Sequence, residues 1–168
     1  MAWHEAVRLN PKHSRARLNL ATLYLYSGRP AEAGEHTLES LKLRKSADGF
    51  QLLAALQEQS GSYAEAVASY EAAIQASPEP YKIWADLGAV YRRLGRERDA
   101  VRAFESGLSQ SERTRTVLPR EAEPVAWCAF YVATLGKTEQ ARQLAQEALA
   151  IAGAARRRPA DYTSAKIC

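Results

Sequence analysis

The segment of this chain that most resembles a known reactive site in sequence is Tyr131-Val-Ala-Thr-Leu-Gly136-Lys137-Thr138. The phosphate-binding loop of nucleotide-binding proteins ends with a glycine, a lysine and a hydroxyl residue in this order. In that loop the backbone N–H groups and the lysine bind the phosphate. Here Tyr131 replaces the first glycine of that loop, and no β-strand is predicted before it. Because the backbone cradle cannot form, we exclude phosphate binding at this segment.

Other reactive arrangements are also missing from the sequence. The histidines His4, His13 and His36 fall on three different predicted elements, without the cysteine or carboxylate spacing of a metal site. The sequence has no Gly-x-Ser-x-Gly motif and no dinucleotide-binding fingerprint. We therefore predict that the chain is not an enzyme, binds no metal and needs no cofactor.

Composition and charge restrict the partner and the compartment. Of the 168 residues, 46% are apolar and 25% are charged, and no apolar run is long enough to span a bilayer. Residues 81–168 carry 15 basic and 10 acidic side chains, against 8 and 9 in residues 1–80. No aromatic–basic alternation accompanies this positive charge, so we expect no nucleic-acid partner. Without a secretory signal or a disulfide framework, we predict a cytoplasmic location.

Regularly spaced glycines define the elements that must position any binding site. Gly28, Gly61, Gly95 and Gly136 are 33, 34 and 41 residues apart. If each glycine is numbered 15, small residues stand at position 8 (Ala21, Ala54, Gly88, Ala129) and at position 20 (Ala33, Ala66, Ala100, Ala141). This pattern predicts pairs of antiparallel amphipathic helices that approach closely at the small residues. The glycine is expected to end each first helix in a left-handed conformation.

One repeat carries a more specific signature, Trp84-x-x-Leu87-Gly88-x-x-Tyr91 followed by Ala100-x-x-x-Phe104. This pattern resembles the tetratricopeptide repeat family, and the resemblance covers nearly the whole chain. It implies an all-α fold, an α-α superhelix (a right-handed solenoid) of about four helix–turn–helix repeats. One helix pair cannot bury its own apolar face, so neighbouring repeats must stack to form the core.

The repeat register predicts the boundaries along the chain. Residues 1–13 are predicted to form the second helix of a partial repeat. Three full repeats follow, at residues 14–46, 47–80 and 81–121, and the third of these contains an insertion. Residues 122–155 form a fourth repeat, and residues 156–168 are a tail or the start of a further helix. We expect the seven extra residues, around Ser109 to Glu121, to emerge as a loop. Because both ends fall within repeats, we expect a segment of a longer array. A short natural protein with capped or self-paired ends is the alternative.

The resemblance also implies where a ligand binds. Family members typically bind peptides or protein segments in a concave groove lined by the first helices, here at positions 2, 5, 6, 9, 12 and 13. The candidate groove residues are Arg15, Asn19, Tyr26, Gln51, Lys82, Arg92, Arg93, Trp127 and Phe130. Arg92 and Arg93 are expected to pair with acidic side chains of the ligand. Tyr26, Trp127 and Phe130 are expected to serve as apolar anchors. For Trp127 and Phe130 the open alternative is burial against a following repeat.

The predicted function is therefore a non-catalytic protein–protein interaction module for a peptide or a protein segment. Two alternatives remain open. In the first alternative, the repeats are the substrate-recruiting region of a larger bacterial enzyme, of the kinase or the glycosyl- or sulfotransferase type. In the second, they are a scaffold that self-associates through open helical ends. A catalytic domain in the flanking sequence would favour the first alternative, and a concentration-dependent mass would favour the second.

Overall fold

The computed structural model describes residues 2–77 and 80–156. Within these residues the chain forms nine α-helices: α1 (Ala2–Leu9), α2 (Ser14–Tyr26), α3 (Pro30–Leu43), α4 (Ala47–Gln59), α5 (Tyr63–Ala76), α6 (Ile83–Arg93), α7 (Glu97–Val117), α8 (Ala122–Thr134) and α9 (Thr138–Arg156). A 3-10 turn, Pro80–Lys82, precedes α6. The chain divides into two compact units between Gly107 and Leu108, and this boundary lies within α7.

The four predicted glycine turns all adopt the left-handed backbone conformation. The φ angles are +71° at Gly28, +80° at Gly61, +69° at Gly95 and +85° at Gly136. The same pair of hydrogen bonds closes each turn. In the third turn, the Gly95 N–H donates to Arg92 O at 3.0 Å. The Arg96 N–H donates to Tyr91 O at 2.9 Å. These bonds satisfy carbonyl groups that a helix end otherwise leaves without partners.

The small residues at positions 8 and 20 lie at the contacts between paired helices. Every one of them is buried, from Ala21 and Ala33 in the first full repeat to Ala129 and Ala141 in the last. A longer side chain at these positions would force the paired helices apart, because protein interiors are closely packed. The small residues at both predicted positions are therefore buried in all four repeats, as close approach of the paired helices requires.

The core of the first unit, residues 1–107, is less uniform than the repeat pattern suggests. Leu20 and Leu87, both at position 7, are 2% exposed. The equivalent residue Leu53 is only half-buried, and so is Phe50. The repeat register places Leu53 at the same core position as Leu20 and Leu87, but its greater exposure means that it contributes less to stability than they do.

The insertion does not form the predicted loop. Helix α7 continues to Val117, so the extra residues lengthen the second helix of the third repeat. The sequence from Ser109 to Val117 contains neither glycine nor proline, and its arginine, glutamate and glutamine residues favour helix. Pro119 follows the end of α7, where a residue without an N–H cannot continue the helix.

The second unit contains the end of α7 together with α8 and α9, which pack against each other. The Cys128 thiol donates to Ser111 Oγ at 3.3 Å, and both residues are buried. An ion pair of 2.8 Å joins Arg115 Nη2 to Glu147 Oε1. The further helix predicted within 156–168 lies outside the described residues, except for Arg156 at the end of α9.

No helix in the part of the chain described here is both long enough and apolar enough to cross a bilayer.

Candidate functional site

A pocket of about 300 Å³ lies between the first helices α2 and α4 of two successive repeats. Its lining residues are Thr22, Leu25, Tyr26, Asp48, Gln51, Leu52 and Ala55. All seven occupy the expected groove positions, namely 9, 12 and 13 of one repeat and 2, 5, 6 and 9 of the next. The pocket therefore results from the repeat register, which turns these positions to one side of adjacent helices.

The apolar part of the pocket consists of side chains near the end of α2 and the middle of α4. Tyr26 is the last residue of α2 and is 86% exposed, although its ring is large and apolar. Leu25 and Leu52 are half-buried and line the pocket beside it. An exposed tyrosine beside half-buried leucines can pack against an apolar side chain while its hydroxyl group remains in water.

The polar part of the pocket is held in place by contacts between neighbouring helices. Arg15 Nη1 on α2 lies 2.6 Å from Asp48 Oδ2 on α4, and both side chains are more than half exposed. Gln51 Nε2 on α4 donates to Asp86 Oδ2 on α6 at 3.1 Å. The exposed ion pair contributes little to stability. These contacts nevertheless orient Asp48 and Gln51 at the edge of the pocket.

The carboxyl group of Asp86, which accepts the hydrogen bond from Gln51, has a raised pKa. Burial raises its pKa above the ordinary value, the hydrogen bond from Gln51 lowers it, and the nearby charge of Glu58 raises it further. Glu58 accepts a hydrogen bond of 2.6 Å from the Tyr70 hydroxyl. A half-buried carboxylate beside a second one is costly to ionise, so Asp86 makes the folded state sensitive to pH.

The two arginines predicted to pair with an acidic ligand already have neighbours within the protein. Arg93 Nε lies 3.9 Å from Glu58 Oε2, and Arg93 Nη1 donates to the Tyr63 hydroxyl at 3.4 Å. Arg92 Nε lies 3.4 Å from Glu97 Oε1, and the Arg92 guanidinium lies 4.7 Å from the ring centre of Phe104. An acidic ligand would therefore compete with Glu58 and Glu97 for these charges.

Two other candidate residues lie on the same unit. Asn19 is half-buried on α2. Lys82 is exposed and belongs to the 3-10 turn before α6, although the register predicted the first helix to contain it. Its Nζ lies 5.7 Å from the ring centre of Tyr81. Of the nine candidates, only Tyr26 and Gln51 line the pocket between α2 and α4.

The remaining candidates, Trp127 and Phe130, form an aromatic cluster on α8 in the second unit. Their ring centres are 5.4 Å apart in an edge-to-face arrangement, and Phe130 has the same arrangement with Tyr131. Tyr131 is fully buried, whereas Phe130 is 45% exposed. Aromatic pairs at this distance are mutually attractive, so the buried tyrosine holds the exposed phenylalanine ring in place.

Several residues that shape the pocket are not among the nine predicted candidates. These residues are Leu25, Asp48 and Leu52, which line the pocket beside Tyr26 and Gln51. The signal that identifies them is register alone, since each stands at a groove position. Within residues 2–77 and 80–156, the His, Cys, Asp and Glu side chains form no group of three that could hold a metal ion.

Comparison with known families supports the repeat pattern. A family profile described as "Tetratricopeptide repeat" matches residues 57–114, and a second with the same description matches residues 2–48. The chain belongs to the tetratricopeptide-repeat family. The two profile matches confirm the predicted family. A separate comparison with curated proteins found no match.

Solved structures with the same fold are numerous, at low sequence identity. MamA aligns with a TM-score of 0.59 at 18% identity, covering 94% of this chain and 88% of MamA. A structure described as "YrrB: a TPR protein with an unusual peptide-binding site" aligns with a TM-score of 0.58 at 19% identity, covering 90% and 92%. PilF of Pseudomonas aeruginosa has a TM-score of 0.65 at 18% identity, covering 88% and 65%. These similarities confirm the predicted fold class, an all-α tetratricopeptide solenoid.

Proposed function

We propose that this tetratricopeptide-repeat protein binds a peptide or an extended protein segment across its first helices, with the pocket between α2 and α4 as the main contact. The family is generally one of non-catalytic interaction modules. The observation that carries the proposal is the pocket of about 300 Å³, whose lining residues all stand at groove positions. The description of YrrB as peptide-binding gives the same fold a precedent.

The chemistry of the pocket favours an apolar side chain flanked by backbone groups that form hydrogen bonds. Leu25, Leu52 and the Tyr26 ring provide apolar surface. The Asp48 carboxylate can accept hydrogen bonds from peptide N–H groups, and the Gln51 amide can donate or accept them. A short segment held by one such pocket would bind at about micromolar strength, which corresponds to about −8 kcal/mol.

A peptide selection with matched variants tests this proposal. Random 12-residue peptides displayed on phage are selected against the whole chain, and enriched peptides are then measured by fluorescence anisotropy against Tyr26→Ala. Because Tyr26 is 86% exposed, its removal should leave the fold intact. We expect this variant to bind at least about tenfold more weakly, as truncation of an aromatic hot spot does.

The matched control is Leu38→Ala, which removes a 48% exposed apolar side chain from the second helix α3. This control should bind the selected peptides as tightly as the wild type does. Equal affinity of the wild type and Tyr26→Ala, or a selection that enriches no peptide, would contradict the proposed site.

We further propose that the protein acts in the cytoplasm. Cys128 is a free thiol in the core of the second unit, and a reducing compartment keeps such a thiol from oxidation. Cell fractionation with an antibody against the chain tests this location, and recovery outside the cytoplasmic fraction would contradict it.

A further inference from the structure

Two contacts between side chains mark a further part of the groove, between the first helices α4 and α6. Gln51 Nε2 donates to Asp86 Oδ2 at 3.1 Å, and Glu58 Oε2 lies 3.9 Å from Arg93 Nε. On each helix the second residue follows the first by two helical turns, so both lie on one face. At the rise of an α-helix, the two contacts are about 10 Å apart along the groove.

Two alanines stand between these contacts. Ala55 on α4 and Ala89 on α6 both occupy position 9 of their repeats, which is a groove position. Ala89 is exposed, and Ala55 lines the pocket beside Tyr26. Because alanine has no side-chain atoms beyond Cβ, a long side chain of a ligand can lie over this part of the groove. We name it the α4–α6 slot, and its residues are Gln51, Ala55, Glu58, Asp86, Ala89 and Arg93.

The two carboxylates of the α4–α6 slot differ in how their charge is balanced. The Glu58 carboxylate has the Arg93 guanidinium beside it. Among the residues that the structure describes, Asp86 forms no ion pair, and its carboxylate accepts a hydrogen bond from the neutral amide of Gln51. An amide orients a carboxylate without neutralising it. The slot therefore holds a half-buried negative charge that no cation of the described residues balances.

This charge is a cost to the folded protein in the absence of a ligand. Burial raises the pKa of Asp86, the hydrogen bond from Gln51 lowers it, and the charge of Glu58 raises it further. A cation close to Asp86 would favour its ionised form and offset that cost. Groups that are unfavourable for folding are typical of functional sites, where the ligand supplies the missing interaction.

We propose that the ligand of this groove carries a lysine or arginine side chain, which lies in the α4–α6 slot and forms an ion pair with Asp86. This inference rests on the peptide binding proposed above and adds the charge of the peptide to it. The sequence led us to expect an acidic ligand, bound by Arg92 and Arg93. Both arginines already lie beside carboxylates, so the charge that awaits a partner in the slot is negative.

The shape of the slot suits such a side chain. Lysine and arginine pack their aliphatic stems on apolar surface while the charged end reaches a polar partner. Ala55 and Ala89 provide that surface, and Asp86 provides the partner. Gln51 lines the pocket beside Tyr26 and also contacts Asp86. The pocket and the slot are therefore adjacent, and one short peptide can place an apolar side chain in the first and a basic side chain in the second.

Peptide selection followed by a double-mutant cycle tests the ion pair. Random 12-residue peptides displayed on phage are selected against the whole chain, and each enriched peptide is resynthesised with one basic residue at a time changed to glutamine. Affinities for the wild type and for Asp86→Asn are measured by fluorescence anisotropy. One such change should weaken binding to the wild type by at least about tenfold, whereas Asp86→Asn should bind both forms of the peptide equally.

Two further variants separate the ion pair from other effects. Glu65→Gln removes an exposed carboxylate from α5, outside the groove, and should bind the basic peptide within about twofold of the wild type. Ala89→Leu fills the slot at an exposed position without changing any charge, and should weaken the same peptide by at least about tenfold. Thermal unfolding should show that Asp86→Asn melts no lower than the wild type, so that its weaker binding does not come from loss of the fold.

The outcomes distinguish this inference from the proposed function on which it rests. Enriched peptides that depend on Tyr26 but contain no basic residue, or that bind Asp86→Asn as tightly as the wild type, would overturn the ion pair and leave the peptide site intact. A selection that enriches no peptide would contradict both proposals.

Discussion

A Cβ atom added to Gly88 would lie 2.3 Å from Cε1 of Phe104, closer than any nonbonded carbon pair tolerates. Gly88 is at position 8 on α6, and Phe104 is at position 24 on α7. Gly88 has an ordinary helical backbone conformation, so the reason for glycine here is that Phe104 leaves no room for a side chain. The ring of Phe104 occupies the space that a side chain on residue 88 would need.

Replacing Gly88 with alanine should therefore lower the free energy of unfolding. The ring of Phe104 or the backbone of α6 must shift, and overpacking of this kind costs about 1–3 kcal/mol. Urea unfolding measures the change. Gly34→Ala is the control, because Gly34 lies within α3 and an added Cβ there meets nothing within 4 Å. This control should be stabilising by about 0.5–1 kcal/mol.

The same contact predicts coupling between the two residues. In a Phe104→Leu background, the smaller side chain leaves room for a methyl group at position 88. The cost of Gly88→Ala should then fall by at least about 0.5 kcal/mol in a double-mutant cycle. An unchanged cost would show that some other contact makes alanine unfavourable at Gly88.

Leucine at position 7 should contribute unequally in different repeats. Leu87 is 2% exposed, so Leu87→Ala should cost about 2–5 kcal/mol through lost burial and the cavity left behind. Leu53→Ala should cost less than about 2 kcal/mol, because Leu53 is half-buried and water can fill part of the space. Thermal unfolding of both variants checks the order, and equal losses would contradict it.

The turn glycines should be sensitive to a side chain for a different reason. An added Cβ at Gly95 meets nothing within 4 Å, but the backbone there has a φ of +69°. Gly95→Ala should therefore be destabilising by about 1 kcal/mol, while Gly95→Asn should cost less because asparagine tolerates this conformation better. Denaturant unfolding measures both variants. If Gly95→Ala were as stable as the wild type, the left-handed turn would not be required.

Asp86 should make the stability of the protein fall as the pH rises. Burial holds its pKa above the ordinary value near 4. An acid whose pKa is raised on folding binds its proton more tightly in the folded state, so ionisation disfavours folding. Stability is lost as pH rises from the unfolded pKa through the folded one. Asp86→Asn should thus raise the melting temperature at pH 7 and have a smaller effect below about pH 4.

The control for this prediction has the opposite sign. Hydrogen bonds from Arg102 and Arg96 hold the pKa of Asp99 below its ordinary value. Its stabilising effect is present at neutral pH and is lost as the pH falls through the lowered pKa. Asp99→Asn should therefore lower the melting temperature at pH 7, and a rise in both variants would contradict the assignment.

Much of the fold could be predicted from the sequence, because the repeat places strict demands on particular residues. A left-handed turn favours glycine, and a close helix contact requires a small residue. Gly61 and Ala66 are thus recognisable without any structure. The extended α7 could not be predicted, because seven extra residues before Pro119 fit a loop and two more helical turns equally well.

The candidate site was only partly predictable for a related reason. Register identifies which residues face the same side, and two of the candidate residues, Tyr26 and Gln51, line the pocket between α2 and α4. Register does not indicate which charges neutralise each other across helices. The 3.9 Å approach of Arg93 to Glu58 depends on side-chain conformations and on the distance between α4 and α6.

The four left-handed turns also have a consequence for the chirality of the chain. At Gly28, Gly61, Gly95 and Gly136 the backbone enters the region that is ordinary for a residue of the opposite hand. A synthetic protein with D-alanine at one of these four sites would satisfy the turn and would also lose less entropy on folding than one with glycine. Each repeat thus depends at its turn on the one natural residue that has no handedness.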